Sequence, residues 1–270
     1  MTHQLNWKIF KHFAVNQRYA FSFQDVMTEF PKKQPVQLAN TLKDMVEEGM
    51  LCKISRDIYH IIPVNADPET YVPEGPQVAK YMMLHREYYL GYASAMRIHG
   101  LSHPSEAMEY VVSEKQMKPA IRSFRGVSYQ FIQHDATRFF GFSDIWINQY
   151  EKAMVSDLEK TIVDVATKPG FCGGIIEVGD ALIKAEDRID QDKLLYYFAR
   201  NRNKSAKKRF LFLTDVLDLE WTKEHDRMMQ ELGTGITLLD PTAPDRGRRR
   251  TKFGLKINVD PREIQKKVLG

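Results

Sequence analysis

The sequence predicts an α+β chain in which a small N-terminal module of helices and a hairpin precedes a larger mixed α/β domain. Three observations predict it. Apolar residues recur at helical spacing over the first fifty residues and then give way to a short two-stranded β pattern. Pro63, Pro68, Pro73 and Pro76 then break a stretch with no periodicity, so 64–76 reads as a linker. Beyond it, short β-rich runs precede a series of capped helical runs. The expected organisation is 1–63, a linker at 64–76, and 77–270, the last divisible into 77–155 and 156–270. A length of 270 residues fits two or three such domains.

The first helix is read from Leu5, Ile9 and Phe13 at i, i+4 and i+8, with Trp7 and Phe10 widening the stripe. Ser22 is placed to cap a second helix whose apolar side is Phe23, Val26, Met27 and Phe30, and Pro31 ends it. Pro35 suits the first turn of a third helix, which buries Leu38, Leu42, Met45 and Val46 and stops at Gly49. Leu51 to Ile62 alternates as a hairpin with a polar turn at Arg56-Asp57. Three helices and a hairpin in this order predict a winged helix-turn-helix.

At 100° per residue, Val36, Gln37, Asn40, Lys43, Asp44 and Glu47 lie opposite the apolar stripe of the third helix. Gln34, Gln37 and Asn40 are side chains able to pair with base edges, Gln and Asn being suited to adenine. Lys32, Lys33 and Lys43 suit phosphates, as do Lys53 and Arg56 on the hairpin. Glu47 and Glu48 at the far end would repel phosphate, so a groove would be entered by the N-terminal half. The same module also serves in other proteins as a protein-docking unit, and that alternative stays open here.

In the larger domain, a helix is expected from about Val78 through His99, ended by Gly100. Small antiparallel strands are expected at 110–112, 127–132 and 139–147. Ser156 with Glu159 forms a capping-box pattern ahead of Leu158, Ile162 and Val165. Further helices are expected over 175–187, from the cap Asp190 to about Arg200, and from the cap Ser205 through Leu217. Strands are expected at 236–239 and 255–259, with a polar tail after them.

Composition is that of an ordinary globular chain, with 43% apolar and 27% charged residues, which excludes disorder, collagen and coiled coil as whole-chain classes. No apolar run reaches the roughly 18–20 residues of a membrane helix. The N-terminal stretch, broken by Lys8 and Lys11, does not read as a signal peptide. Only Cys52 and Cys172 occur, as expected of a reduced, cytoplasmic protein. The net charge of +4 divides into +2 over 1–63, −5 over 64–190 and +7 over 191–270. Two basic clusters make up the last figure: Lys207, Lys208 and Arg209 within a run from Arg200, and Arg246, Arg248, Arg249, Arg250 and Lys252 in a loop. Each reads either as a solvated charge run or as a second nucleic-acid contact.

The chain carries no G-x-x-x-x-G-K-[ST], G-x-G-x-x-G, G-x-S-x-G, C-x-x-C or H-E-x-x-H, and no [DE]-x-K triplet. Asp190-Gln191-Asp192 is a D-x-D at a helix start, where acidic residues act as caps. Asp157, Glu159 and Asp164 resemble a carboxylate cluster, but the first two belong to a helix start. His99 and His103 have i, i+4 spacing, yet Gly100 and Pro104 disrupt the helix that would align them. The expectation is a protein without enzymatic activity, metal or cofactor.

Four stretches, in this order, resemble the antitoxin component of the AbiE abortive-infection system, a type IV toxin–antitoxin module. They are G-M-L-C-K-I-S-R-D-I-Y from Gly49, Y-Y-L-G-Y-A-S-A-M-R-I-H-G-L from Tyr88, V-S-D-L-E-K-T-I-V-D from Val155 followed by Pro169 and Gly173-Gly174, and L-L-D-P from Leu238 with Asn258 beyond it. Asp57 stands where the family pattern has a glycine in the wing turn. The resemblance implies a transcriptional autorepressor that binds inverted repeats in double-stranded operator DNA. It also implies antagonism, direct or indirect, of a nucleotidyltransferase-type toxin. It further implies a monomer in solution that is cooperative on DNA.

Overall fold

The computed structural model describes residues 2–102, 108–149, 151–220, 222–247 and 251–269. The chain forms two compact units, 1–87 with 124–126, and 88–123 with 127–270. The division falls after Glu87, so the stretch from 64 onward belongs to the first unit rather than to a linker and the start of the second.

In the first unit α1 (Thr2–Val15), β1 (Ala20–Ser22), α2 (Phe23–Glu29), α3 (Pro35–Glu47), β2 (Leu51–Lys53), β3 (Ile58–Ile61) and α4 (Gly75–Met82) follow in order. The three strands pair antiparallel as β1-β3-β2, with Phe21 opposite Tyr59 and Cys52 opposite His60. Three residues give β1 too little length for an alternation signal, so the sequence did not announce it. Ser22 caps α2 as expected. Its Oγ accepts from the Asp25 N–H at 3.1 Å, and the Asp25 carboxylate accepts from the Ser22 N–H at 2.7 Å. Ile9, Phe13, Phe21, Val26, Leu38, Leu42 and Met45 are fully buried, and the rings of Phe13 and Phe21 stack at 4.0 Å. The i, i+4, i+7 apolar face of α3 is therefore what orients its opposite face outward.

The second unit holds β4 (Tyr89–Leu90), α5 (Tyr92–Ile98), β5 (Met108–Ser113), β6 (Ile121–Phe124, whose last residue counts with the first unit), β7 (Val127–Gln133), β8 (Phe142–Trp146) and β9 (Lys152–Ser156). After them come α6 (Leu158–Thr167), α7 (Ile175–Ala185), α8 (Gln191–Asn201), α9 (Lys204–Val216), α10 (Thr222–Gln230), β10 (Thr237–Leu238), β11 (Leu255–Lys256) and α11 (Pro261–Leu269). The main sheet is six-stranded in the order β6-β7-β5-β4-β9-β8.

Several expectations are corrected here. The sheet is mixed, not antiparallel: β5 pairs β7 in parallel, as β4 pairs β9. The helix expected over 78–99 is two helices with a strand between them. Tyr89 and Leu90 are wholly buried and pair with Val112 and Val111, and a short apolar run fits a buried strand as well as a helix. Asp157, not Ser156, caps α6, accepting from the Lys160 N–H at 2.8 Å. Ser156 ends β9 opposite Phe142 and turns its hydroxyl inward to Thr161 Oγ1 at 2.8 Å. Asn203, not Ser205, caps α9. The polar tail is helical because Ile264 is buried in the core.

At the centre lies α6, packed by α5, α7, α8 and α9. Every one of its residues from Leu158 to Ala166 is buried, charged ones included. Among the described residues no helix is long and apolar enough to cross a membrane.

Candidate nucleic-acid interface

The eight residues expected to meet DNA are all exposed in the first unit: Lys32, Lys33, Gln34, Gln37, Asn40, Lys43, Lys53 and Arg56. Lys32 and Lys33 lie in the turn between α2 and α3, which the Lys33 N–H closes onto the Phe30 carbonyl at 3.0 Å. Pro35 starts α3, and no side chain caps that start. Gln37 and Asn40 sit one turn apart on the outward face, with Val36 beside them at 72% exposure. Lys43 reaches Glu47 at 3.5 Å, a pair so exposed that a phosphate could displace the carboxylate at little cost.

On the hairpin, the Lys53 ammonium lies 5.8 Å from the Tyr59 ring centre. The turn that presents Arg56 is closed by the Ile54 N–H onto the Ile58 carbonyl at 2.9 Å, and the Asp57 carbonyl accepts from the Phe23 N–H at 2.9 Å. None of residues 54–57 has a positive φ. Asp57 in place of glycine therefore costs no backbone strain, and the turn is tied to the start of α2.

The second basic surface is corrected in part. Lys207, Lys208 and Arg209 are buried, each at 5% exposure or less. The Lys207 ammonium pairs with Glu231, and Lys208 donates to the Gly235 carbonyl. Arg209 donates to the carbonyls of Ala166 and Thr167 at 3.0 and 3.3 Å, and to those of Leu238 and Leu239 at 3.1 and 2.9 Å. The first two are last-turn carbonyls of α6, which have no partner within their own helix, so Arg209 acts as the cap of α6. Burial lowers its guanidinium to about 10, against the pull of Asp240. In the loop, Arg246 is exposed and Lys252 pairs with Asp215 at 2.8 Å. Arg248, Arg249 and Arg250 lie outside the described residues.

The stretches from Tyr88 and Val155 converge on a buried polar centre in the second unit. Lys160 and Asp164, one turn apart on α6, form an ion pair at 1% exposure or less. The Tyr89 hydroxyl donates to Asp164 at 3.0 Å and accepts from the Lys160 ammonium at 3.1 Å. His134 joins Tyr89 through Nδ1 and Tyr92 through Nε2, both at 2.9 Å. Because the one proton of Tyr89 goes to Asp164, a neutral His134 donates from Nδ1 and accepts the Tyr92 proton at Nε2. Burial lowers the His134 imidazole to about 4 and lowers the Lys160 ammonium. It raises the hydroxyls of Tyr89 and Tyr92. Hydrogen bonds satisfy the network, and solvent does not reach it. Its chemistry is to lock β4, α5, α6 and the end of β7 together. No local pattern around His134 marked it; only the sheet brings it under the two tyrosines.

The stretch at Leu238 completes the second unit. The Asp240 carboxylate accepts from the Ile175 N–H at 2.8 Å and so caps α7. Asn258 clamps the Asp240 backbone, accepting its N–H at 3.0 Å and donating to its carbonyl at 2.7 Å. Gly174 has φ +114°, and a Cβ there would lie 2.7 Å from the Asp240 carboxylate, so the Gly173-Gly174 turn admits this cap. The Nε2–H of His99 donates to the Ser156 carbonyl at 2.7 Å, and His103 lies outside the described residues.

No family model and no curated protein matches this chain. Among solved structures, the crystal structure of the RV2827C protein from Mycobacterium tuberculosis is similar, with a TM-score of 0.66 and 13% identity. The match covers 97% of this chain and 94% of that one. The two share an overall mixed α+β fold.

Proposed function

We propose that the chain is a DNA-binding antitoxin and transcriptional autorepressor of a type IV toxin–antitoxin operon. In this reading the first unit is a winged helix, with α3 as the reader and the β2–β3 hairpin as the wing. One observation carries it: the cationic turn, the Gln37 and Asn40 face of α3, and Lys53 and Arg56 on the hairpin are all exposed in one small unit. The order of its elements, α1-β1-α2-α3-β2-β3, supports the same reading. Gln34, Gln37 and Asn40 read bases; Lys32, Lys33, Lys43, Lys53 and Arg56 hold phosphates. The antitoxin role rests on the resemblance in the four stretches. Its partner is a nucleotidyltransferase-type toxin.

The test is a gel-shift titration, over a range of salt concentrations, against the DNA upstream of the chain's own reading frame. Each phosphate contact contributes about 0.9 to the slope of log affinity against log salt, so Lys32→Ala with Lys33→Ala should flatten it by about 1.8. An unchanged slope removes those two contacts. No salt-sensitive binding at all leaves the first unit as a protein-docking module, for which the exposed Trp7 and Val15 on α1 would be the contact.

A further inference from the structure

We propose that Val36 determines specificity by packing against the C5-methyl of a thymine in the major groove, next to bases read by Gln37 and Asn40. This rests on the DNA-binding reading of α3 and sharpens it. Val36 is the second residue of α3, at 72% exposure, with Gln37 and Asn40 as neighbours on the outward face. In the free protein Val36 is mostly exposed, and a β-branched residue adds no helix propensity there. The apolar core of the unit is complete without it: Leu38, Leu42 and Met45 face inward from the same helix.

The surroundings select the occupant. Lys32 and Lys33, in the turn that leads into α3, make the approach to its N-terminal half positive, which favours a polyanion over an apolar protein surface. The first turns of a reading helix are the part that reaches base edges. In unmodified DNA, the only apolar group on the major-groove edge is the thymine methyl. An adenine paired by Asn40 or Gln37 through N6 and N7 also places thymines, its own partner or a neighbouring one, within the same short stretch of groove. The predicted site is therefore A·T-containing, with one thymine recognised by shape rather than by hydrogen bonding.

The experiment selects bound duplexes from a randomised pool built with the four unmodified nucleotides, then replaces each thymine of the selected duplex in turn by deoxyuridine. Losing a methyl that the protein buries, worth about 0.8 kcal/mol, should weaken binding about fourfold at one position and little elsewhere. Val36→Ala should narrow the difference between the thymine and deoxyuridine duplexes, since two methyls of the contacting side chain are gone and only Cβ remains. Because Val36 is exposed, the variant should melt with the parent, which circular dichroism checks. If no thymine matters to the parent, or if Val36→Ala keeps the fourfold loss, the inference falls while DNA binding stands. If the pool yields no bound duplex, DNA binding falls and the inference with it.

Discussion

Two sets of cations, one in each unit, are used in opposite ways. In the first, Lys32, Lys33, Lys43, Lys53 and Arg56 face solvent, with Lys43 in an exposed pair with Glu47 and Lys53 beside the Tyr59 ring. In the second, Lys160, Lys207, Lys208 and Arg209 lie inside, each engaged by a carboxylate, a carbonyl or a hydroxyl. The larger positive excess in the sequence, +7 over 191–270, is thus partly structural, and the modest +2 over 1–63 is the excess a polyanion could meet. Counting charge along a chain reports its amount; only burial reports its availability.

The comparison breaks first at Arg209. Arg209→Ala would leave four carbonyls without this donor at about 1–3 kcal/mol each, partly relieved by relaxation, so a loss of about 4 kcal/mol or more is expected in chemical denaturation. Hydrogen exchange read peptide by peptide should place that loss in 88–270 and leave the first unit protected. Arg209→Lys should recover little, because a point charge does not span four acceptors.

Next comes the ion pair on α6. Lys160→Met alone should cost about 3–5 kcal/mol by stranding the Asp164 carboxylate. Adding Asp164→Leu should return part of the loss, and a double variant no more stable than the single would show that packing, not charge, dominates there.

The imidazole at His134 should give the second unit an acid-sensitive stability. Its folded pKa, about 4, lies below the ordinary 6.5, so between these values the unfolded chain binds a proton that the folded chain refuses. The contribution is complete above about pH 6.5 and is lost as pH falls toward 4. His134→Gln should flatten the melting-temperature profile over that window, whatever it does to the absolute value.

The smallest effect is expected on the exposed side. Lys32→Ala with Lys33→Ala should shift stability by no more than about 0.5 kcal/mol. A larger loss would mean that the turn between α2 and α3 needs its lysines for the fold, and the contrast between the units would narrow.

Local chemistry made much of the first unit legible. Ser22, Pro31, Pro35 and Gly49 mark helix ends through their own backbone demands, and the i, i+4 spacing of Leu38 and Leu42 sets which face of α3 points outward. The mixed sheet was not legible, because strand order depends on contacts between residues far apart, such as Leu90 with Val155. For the same reason Ser156 looked like a cap: a hydroxyl ahead of a helix fits that role until its strand turns it inward.

By itself, then, the sequence determined α1 to α3 of the first unit, its hairpin and the identity of its exposed polar face, since each rests on neighbours within a few residues. The tertiary structure alone decided that Lys207, Lys208 and Arg209 are interior, and that Tyr89, Tyr92, His134, Lys160 and Asp164 meet. A cation's role follows from the acceptors around it, and those carbonyls and carboxylates come from segments that only folding brings within 3 Å or so.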